Sequence, residues 1–277
     1  MKRRISYLIA GLLSLVTLVF APVSASAATT QLNTYVAVGD SIAAGAGLPL
    51  MDSSTETKAC GRSDQAYPHL VAAAKNIPLN HIACGGATVK EGLINSQNAN
   101  GLTVPAQIDR AFANGVPKMM SISIGTNDLH WSDFIKKCYA GTCGTWSDSA
   151  ALAGLDFKLY YNLNKAMHQI QTKSAGTTPP KVYIVGYYHP YDTTKLNCMD
   201  TQGITTDEAS WVNRQADVLN GVLTITAAQY GATYVPANFA GHELCSASPW
   251  IQGITAPASY HPTAAGQAAI AQSINSL

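Results

Sequence analysis

Charge is scarce in this 277-residue sequence: Asp, Glu, Lys and Arg together make up 12% of it. Removing the N-terminal Lys2, Arg3 and Arg4 from the 17 basic residues leaves 14 against 16 acidic ones, a net charge of −2. That balance gives no electrostatic reason to expect nucleic acid or an anionic membrane surface as partner. Long apolar runs are missing after residue 20, so stable insertion of the later chain into a bilayer is not expected. No Cys-x-x-Cys or clustered His and Cys spacing occurs. The histidines at 69, 81, 130, 168, 189 and 242 fit no His-x-x-x-His pattern with a glutamate, so neither a metal nor another cofactor is expected. Internal repeats, low-complexity tracts and linkers are absent too.

The one long apolar run is N-terminal. Met1-Lys2-Arg3-Arg4 is basic, Ile5 to Phe20 is apolar, and Ala25-Ser26-Ala27 offers small residues to a signal peptidase. This order of charge, apolar core and cleavage site reads as a secretory signal peptide over residues 1–27. The run is shorter than the ~20 apolar residues of a spanning anchor. Residues 28–277 are then a mature, secreted chain of about 250 residues, enough for one sizeable core in a single domain, expected as a monomer.

All six cysteines, at 60, 84, 138, 143, 198 and 245, lie in that mature part. An even count behind a signal peptide reads as three disulfides. Six cysteines permit about 15 pairings, and spacing alone does not choose among them. Sequential pairing is the simplest, because each bridge closes a local loop.

Strand-like and helix-like segments alternate. Thr34 to Val38, Leu79 to Ala83, Met119 to Ile124, Val182 to Val185 and Thr233 to Val235 are short apolar runs. Tyr67 to Ala74, Val104 to Ala113, Ser149 to Lys173, Asp207 to Gln229 and Pro262 to Ile274 have helical character, the last with Pro262 in its first turn. Loops are expected at 48–66, 128–148 and 187–204. Apolar strands separated by helices imply an α/β protein whose parallel sheet is covered on both faces, with ligands beyond the carboxyl ends of the strands. Gly39-Asp40-Ser41, Gly85-Gly86 and Gly125-Thr126-Asn127-Asp128 all fall at such ends.

Taken alone, Ser41 reads as a helix N-cap after a strand, Asn127 as a turn residue and Gly86 as a left-handed turn. They do not stand alone. Gly39-Asp40-Ser41-Ile42-Ala43-Ala44-Gly45, Cys84-Gly85-Gly86-Ala87-Thr88, Gly125-Thr126-Asn127-Asp128 and Tyr260-His261-Pro262-Thr263 resemble, in order, four blocks of the SGNH (GDSL-type) hydrolase superfamily. The resemblance spans nearly the whole mature chain. It implies a three-layer α/β/α, flavodoxin-like fold and a secreted carboxylic ester hydrolase, an esterase or lipase working through a serine acyl-enzyme. By the same resemblance Ser41 is the nucleophile and His261 its base, while the Ser41 N–H, the Gly86 N–H and the Asn127 side chain form the oxyanion hole.

One departure stands out. The family's usual aspartate, three residues before the histidine, is Ala258 here, and no carboxylate lies between Glu243 and the C-terminus. A backbone carbonyl can hold the imidazole instead. Some secreted actinobacterial esterases and lipases of the superfamily use such a Ser-His dyad, so the carbonyl of Ala258 is the expected orienter. Asp40 and Asp128 read as ties for their loops. Trp131, Trp146, Tyr187, Tyr188 and Trp250 are candidates for an acyl or alcohol groove, and His130 for its edge. The substrate is a small-molecule or lipid ester, with a polysaccharide O-acetyl esterase or a phospholipase A1 as alternatives. A non-catalytic secreted carbohydrate- or surface-binding protein is the reading from another class.

Overall fold

The computed structural model describes residues 30–277; the expected signal peptide lies outside the described residues. Fifteen elements follow one another: β1 (Gln31–Gly39), α1 (Ser41–Ala44), α2 (Thr55–Cys60), α3 (Tyr67–Lys75), β2 (Leu79–His81), β3 (Gln97–Ala99), β4 (Leu102–Val104), α4 (Gln107–Ala111), β5 (Val116–Ser123), α5 (Trp131–Tyr139), α6 (Trp146–Lys173), β6 (Lys181–Val185), α7 (Thr206–Gln229), β7 (Thr233–Val235) and α8 (Ala264–Asn275). β1, β2, β5, β6 and β7 form one sheet in the order β2-β1-β5-β6-β7, parallel throughout. The central strands are apolar on both sides, Tyr35 to Val38 and Val182 to Val185 being buried. Two covered faces need that pattern.

From β1 the chain steps outward to β2, then returns past β1 to β5, β6 and β7. Right-handed crossovers taken in opposite directions put their helices on opposite faces. α3 packs with α8, whereas α6 packs with α7 and touches α4. The expected three-layer, flavodoxin-like arrangement is what the chain adopts. Its topological switch falls between β1 and β5, where open parallel sheets bind ligands.

Several boundaries differ from expectation for identifiable reasons. The helix expected from Val104 is confined to Gln107–Ala111, and Val104 ends a short hairpin, paired with Gln97. Pro105 follows it, and a residue before proline is pushed out of the helical region. Thr145 and Asp148 form a reciprocal capping box, which starts α6 at Trp146 instead of Ser149. Thr263 caps α8 by accepting from the Gly266 N–H, so Pro262 precedes the helix. The loops expected at 48–66 and 128–148 contain α2 and α5 respectively. All six cysteines pair sequentially, 60 with 84, 138 with 143 and 198 with 245.

The exit of β1 is held with unusual care. Gly39 has φ +135°, and a Cβ there would lie 2.1 Å from the Ser123 carbonyl oxygen. Only glycine allows β1 and β5 to approach so closely. On its other side the fully buried Gln107 imitates a neighbouring strand: its Oε1 accepts the Gly39 N–H at 2.7 Å, and its Nε2 donates to the Gly39 carbonyl at 3.0 Å. Removing the amide leaves the Gly39 N–H without its acceptor, at a cost of about 1–3 kcal/mol, while the Gly39 carbonyl keeps the Cys84 N–H. Gln107→Ala is expected to lower unfolding stability by that amount in urea titrations. Loss of less than about 0.5 kcal/mol would show that water replaces the amide.

Candidate active site

Ser41 opens the one-turn helix α1 directly after β1. Asp40, not Ser41, is the N-cap: its Oδ1 accepts the Ile42 N–H at 2.9 Å. The Ser41 side chain is thereby free, and its Oγ lies 2.7 Å from His261 Nε2, contributed from 220 residues further along. Its backbone N–H stands in the first turn of α1, has no acceptor, and points outward with the positive end of the turn.

A four-residue helix does not stand by propensity. Its last carbonyls are taken by tertiary donors. Gln267 Nε2, from α8, donates to Ile42 O at 2.9 Å, and its Oε1 accepts the Tyr67 N–H at the start of α3. His81 Nε2 donates to Ala43 O at 2.9 Å. The Ser63 N–H donates to Ala44 O at 2.8 Å. Burial pushes the His81 imidazole down to about 3, with His69 beside it acting in the same direction. It therefore stays a neutral donor through the working range of a typical enzyme. Gly45 ends the turn at φ +83°, where a Cβ would meet that of Ala66 at 2.7 Å.

The loops after β2 and β5 are clamped to each other beside Ser41. Asn127 Nδ2 donates to Ala87 O at 2.9 Å, and both oxygens of Asp128 accept the Val89 N–H at 3.1–3.2 Å. An amide nitrogen carries two protons, so Asn127 keeps one to offer. Gly85 is spent structurally: its N–H goes to Cys60 O, and its carbonyl accepts from Gln97. The N–H of the exposed Gly86 has no such acceptor.

Under Ser41, Asp40 is fully buried, and Tyr187 and Thr126 donate to its Oδ2 at 2.6 and 3.3 Å. Burial outweighs these donors and pushes its carboxyl up to about 6. Burial, with the nearby charge of Asp40, pushes Asp128 up to about 7. His261 is shifted down from its usual value by burial, against smaller upward effects of the Ser259 and Ala258 carbonyls.

The orienting contact is one residue away from expectation. His261 Nδ1 donates to the carbonyl of Ser259 at 3.0 Å. The carbonyl of Ala258 instead accepts the His261 backbone N–H at 3.2 Å and acts on the ring only secondarily. Tyr260 adopts φ +65° between them, and this left-handed turn swings the Ser259 carbonyl under the ring. Among the described residues no carboxylate, Glu243 and Asp64 included, is hydrogen-bonded to His261.

The pair sits on a cavity of about 380 Å³ with a mostly apolar wall, to which Trp131, Ile135, Tyr188, Pro190, Leu219 and Ile254 contribute. Of the aromatic candidates, Trp131, Tyr187 and Tyr188 line it. Trp146 is an exposed surface residue, and Trp250 stacks on His242. His130 caps α5 in a left-handed conformation and does not reach the cavity. Among the described residues no group of three or more His, Cys, Asp or Glu could hold a metal ion, and no helix is long and apolar enough to cross a membrane. Sequence reasoning missed Gln107 and Gln267. Both are long amides on otherwise apolar helix faces, and that was the available signal.

Comparison with known proteins agrees with this geometry. The model of the GDSL-like Lipase/Acylhydrolase family matches residues 37–269. A lipase from Streptomyces rimosus is 34% identical over 256 residues, 89% of this chain and 87% of that one. The crystal structure of an extracellular lipase from the same organism aligns with a TM-score of 0.64 and 27% identity, covering 88% of this chain and 99% of the other. Phospholipase A1 from Streptomyces albidoflavus aligns with a TM-score of 0.61 and 27% identity, covering 90% and 99%.

The electrostatics of Asp40 carry a stability prediction. Its folded pKa, about 6, lies above the ordinary value of 3.8, so the native state holds the proton more tightly than the unfolded chain. Its contribution is complete below about pH 4 and is lost as pH rises through 6. Asp40→Asn, which cannot ionise and keeps one of the two acceptor oxygens, is expected to flatten that decline by about 2 kcal/mol between pH 4 and 7. Parallel denaturation curves for the two proteins across this range would contradict it.

Proposed function

This chain belongs to the GDSL-like lipase/acylhydrolase family and is a serine ester hydrolase; on that premise we propose that Ser41 is its nucleophile and His261 its general base. The observation that carries this reading is the 2.7 Å contact between Ser41 Oγ and His261 Nε2 at the wall of an apolar cavity. With Nδ1–H given to the Ser259 carbonyl, Nε2 is left as the acceptor for the serine proton. Ser41 attacks the ester carbonyl, and His261 takes the hydroxyl proton and returns it to the departing alcohol. Water, activated by the same imidazole, then releases the acid from the acyl-enzyme.

The tetrahedral oxyanion is received by the Ser41 N–H, the Gly86 N–H and the second proton of Asn127 Nδ2. In support, the Ser41 and Gly86 N–H groups have no acceptor among the described residues, and Asn127 Nδ2 keeps a proton beyond the one given to Ala87 O. The carbonyls of Ser259 and Ala258 stabilise the imidazolium without a carboxylate partner.

The apolar wall supports an acyl chain of several carbons as the cavity's occupant, hence an esterase or lipase. A phospholipase A1 is the second reading, supported by the likeness to the Streptomyces albidoflavus enzyme of that name. We also propose that residues 28–277 act as one exported domain after removal of residues 1–27, as a monomer outside the cell. The three disulfides and the extracellular relative support the export.

Ser41→Ala is expected to abolish hydrolysis of p-nitrophenyl esters, by at least about 10³-fold, in a protein with unchanged circular dichroism. Retained activity would sink the reading. Asn127→Ala is expected to lower kcat by about 10²–10³-fold with little change in KM, the cost of one oxyanion donor. In the wild type, kcat/KM rises with pH along an acid limb centred below 6.5, because burial holds the His261 pKa under its ordinary value. A midpoint well above 6.5 would point to a carboxylate partner. A chain-length series of p-nitrophenyl esters, run beside a phospholipid and acetylated xylan, ranks the substrates. The cavity favours the longer esters over acetyl.

A further inference from the structure

With no carboxylate hydrogen-bonded to it among the described residues, the His261 ring is oriented chiefly by the carbonyl of Ser259, that of Ala258 acting secondarily. The direction of that carbonyl depends on Tyr260, which holds φ +65°, a conformation that residues with a Cβ adopt only under external constraint. The constraint is visible at every polar atom of Tyr260. Its N–H donates to Gln252 O at 2.9 Å, and its carbonyl accepts Tyr188 Oη–H at 2.6 Å. Its hydroxyl sits between those of Tyr139, at 2.5 Å, and Tyr191, at 2.6 Å.

A phenol has one proton to give, and this fixes the direction of the chain. Tyr139 spends its proton on the Asp200 carbonyl. Tyr260 therefore donates to Tyr139, and Tyr191 donates to Tyr260. The accepting end of the relay is stapled covalently twice: Cys138, bonded to Cys143, precedes Tyr139, and Cys198, bonded to Cys245, stands two residues before Asp200. The relay ties α5 and the loop before α7 to the residue that precedes His261.

We propose that Tyr260 is a positioning residue for the Ser41–His261 pair, its hydroxyl anchored between Tyr139 and Tyr191 so that the left-handed turn keeps the Ser259 carbonyl on His261 Nδ1. It acts through the backbone and touches no reacting atom. The inference rests on His261 serving as the base for Ser41, as proposed above.

The test compares wild type, Tyr260→Phe and the double variant Tyr139→Phe/Tyr191→Phe. Active sites are first counted with diethyl p-nitrophenyl phosphate. Hydrolysis of p-nitrophenyl butyrate is then followed from about pH 5 to 9, and the imidazole N–H is observed by proton NMR. Both variants should titrate fully, with kcat about tenfold lower and KM within about twofold, as expected for loss of one or two neutral hydrogen bonds to a positioning group. The acid limb should move to lower pH, because a loosened Ser259 carbonyl stabilises the imidazolium less, and the Nδ1–H resonance should broaden.

An unchanged kcat and acid limb would overturn the proposal. So would a fall in activity matched by lost titratable sites with the limb in place, the signature of a purely structural role. Should Tyr260→Phe not fold, the double variant, which leaves Tyr260 intact, decides alone. Wild-type protein that takes no phosphate at Ser41 removes the dyad itself, a distinct failure.

Discussion

The hydrogen bond from His261 Nδ1 to the Ser259 carbonyl is the contact on which the proposed chemistry depends. A buried carboxylate would hold an imidazole by charge and tolerate some misalignment. A carbonyl dipole has less reach, so its direction must be set by the chain around it. The structure meets that demand with rigid surroundings. Gln252 exchanges hydrogen bonds with Tyr260 and His261 through its backbone, and its side chain reaches the carbonyls of Ala46 and Pro262, joining the histidine loop to the serine loop. Each disulfide flanks a segment of the site: Cys84 beside Gly85, Cys138 beside Tyr139 and Cys198 near Asp200. Such bridges constrain loops that few charges are available to tie down.

The serine side is organised by buried polar groups that bond backbone atoms and form no ion pairs. Asp40, Gln107, His81 and Gln267 are buried, and each satisfies backbone atoms at the ends of β1 and α1. Together they let a one-turn helix present Ser41 with its N–H unspent. The cost is visible in the raised pKa of Asp40, a destabilised carboxylate kept directly beneath the nucleophile. Burying it there also leaves the cavity free of an exposed negative charge that would repel a developing oxyanion.

Much of this was legible in the residues themselves. Strands buried on both faces read as unbroken apolar runs, and glycine-bearing loops at their ends mark where a parallel sheet binds ligands. The four motif blocks named Ser41, Gly86, Asn127 and His261, and the fold brings the serine, the asparagine and the histidine to one cavity. What escaped was what depends on distant contacts. The orienting carbonyl moved from Ala258 to Ser259 because the turn at Tyr260 is left-handed, a choice made by tyrosines 69 and 121 residues away. α5 was hidden in an expected loop, between Asn127 and the Cys138–Cys143 bridge. The excess of 13 tyrosines over 5 phenylalanines was a signal that hydroxyl groups are put to use.

A crystal structure of the enzyme inhibited by a p-nitrophenyl alkylphosphonate tests the central claim most directly. The account predicts phosphorus bonded to Ser41 Oγ, its alkyl chain in the apolar cavity, and a phosphoryl oxygen within hydrogen-bonding distance of the Ser41 N–H, the Gly86 N–H and Asn127 Nδ2. His261 Nδ1 should remain on the Ser259 carbonyl. A phosphonate on another residue, or a carboxylate found holding His261 in the adduct, would contradict it.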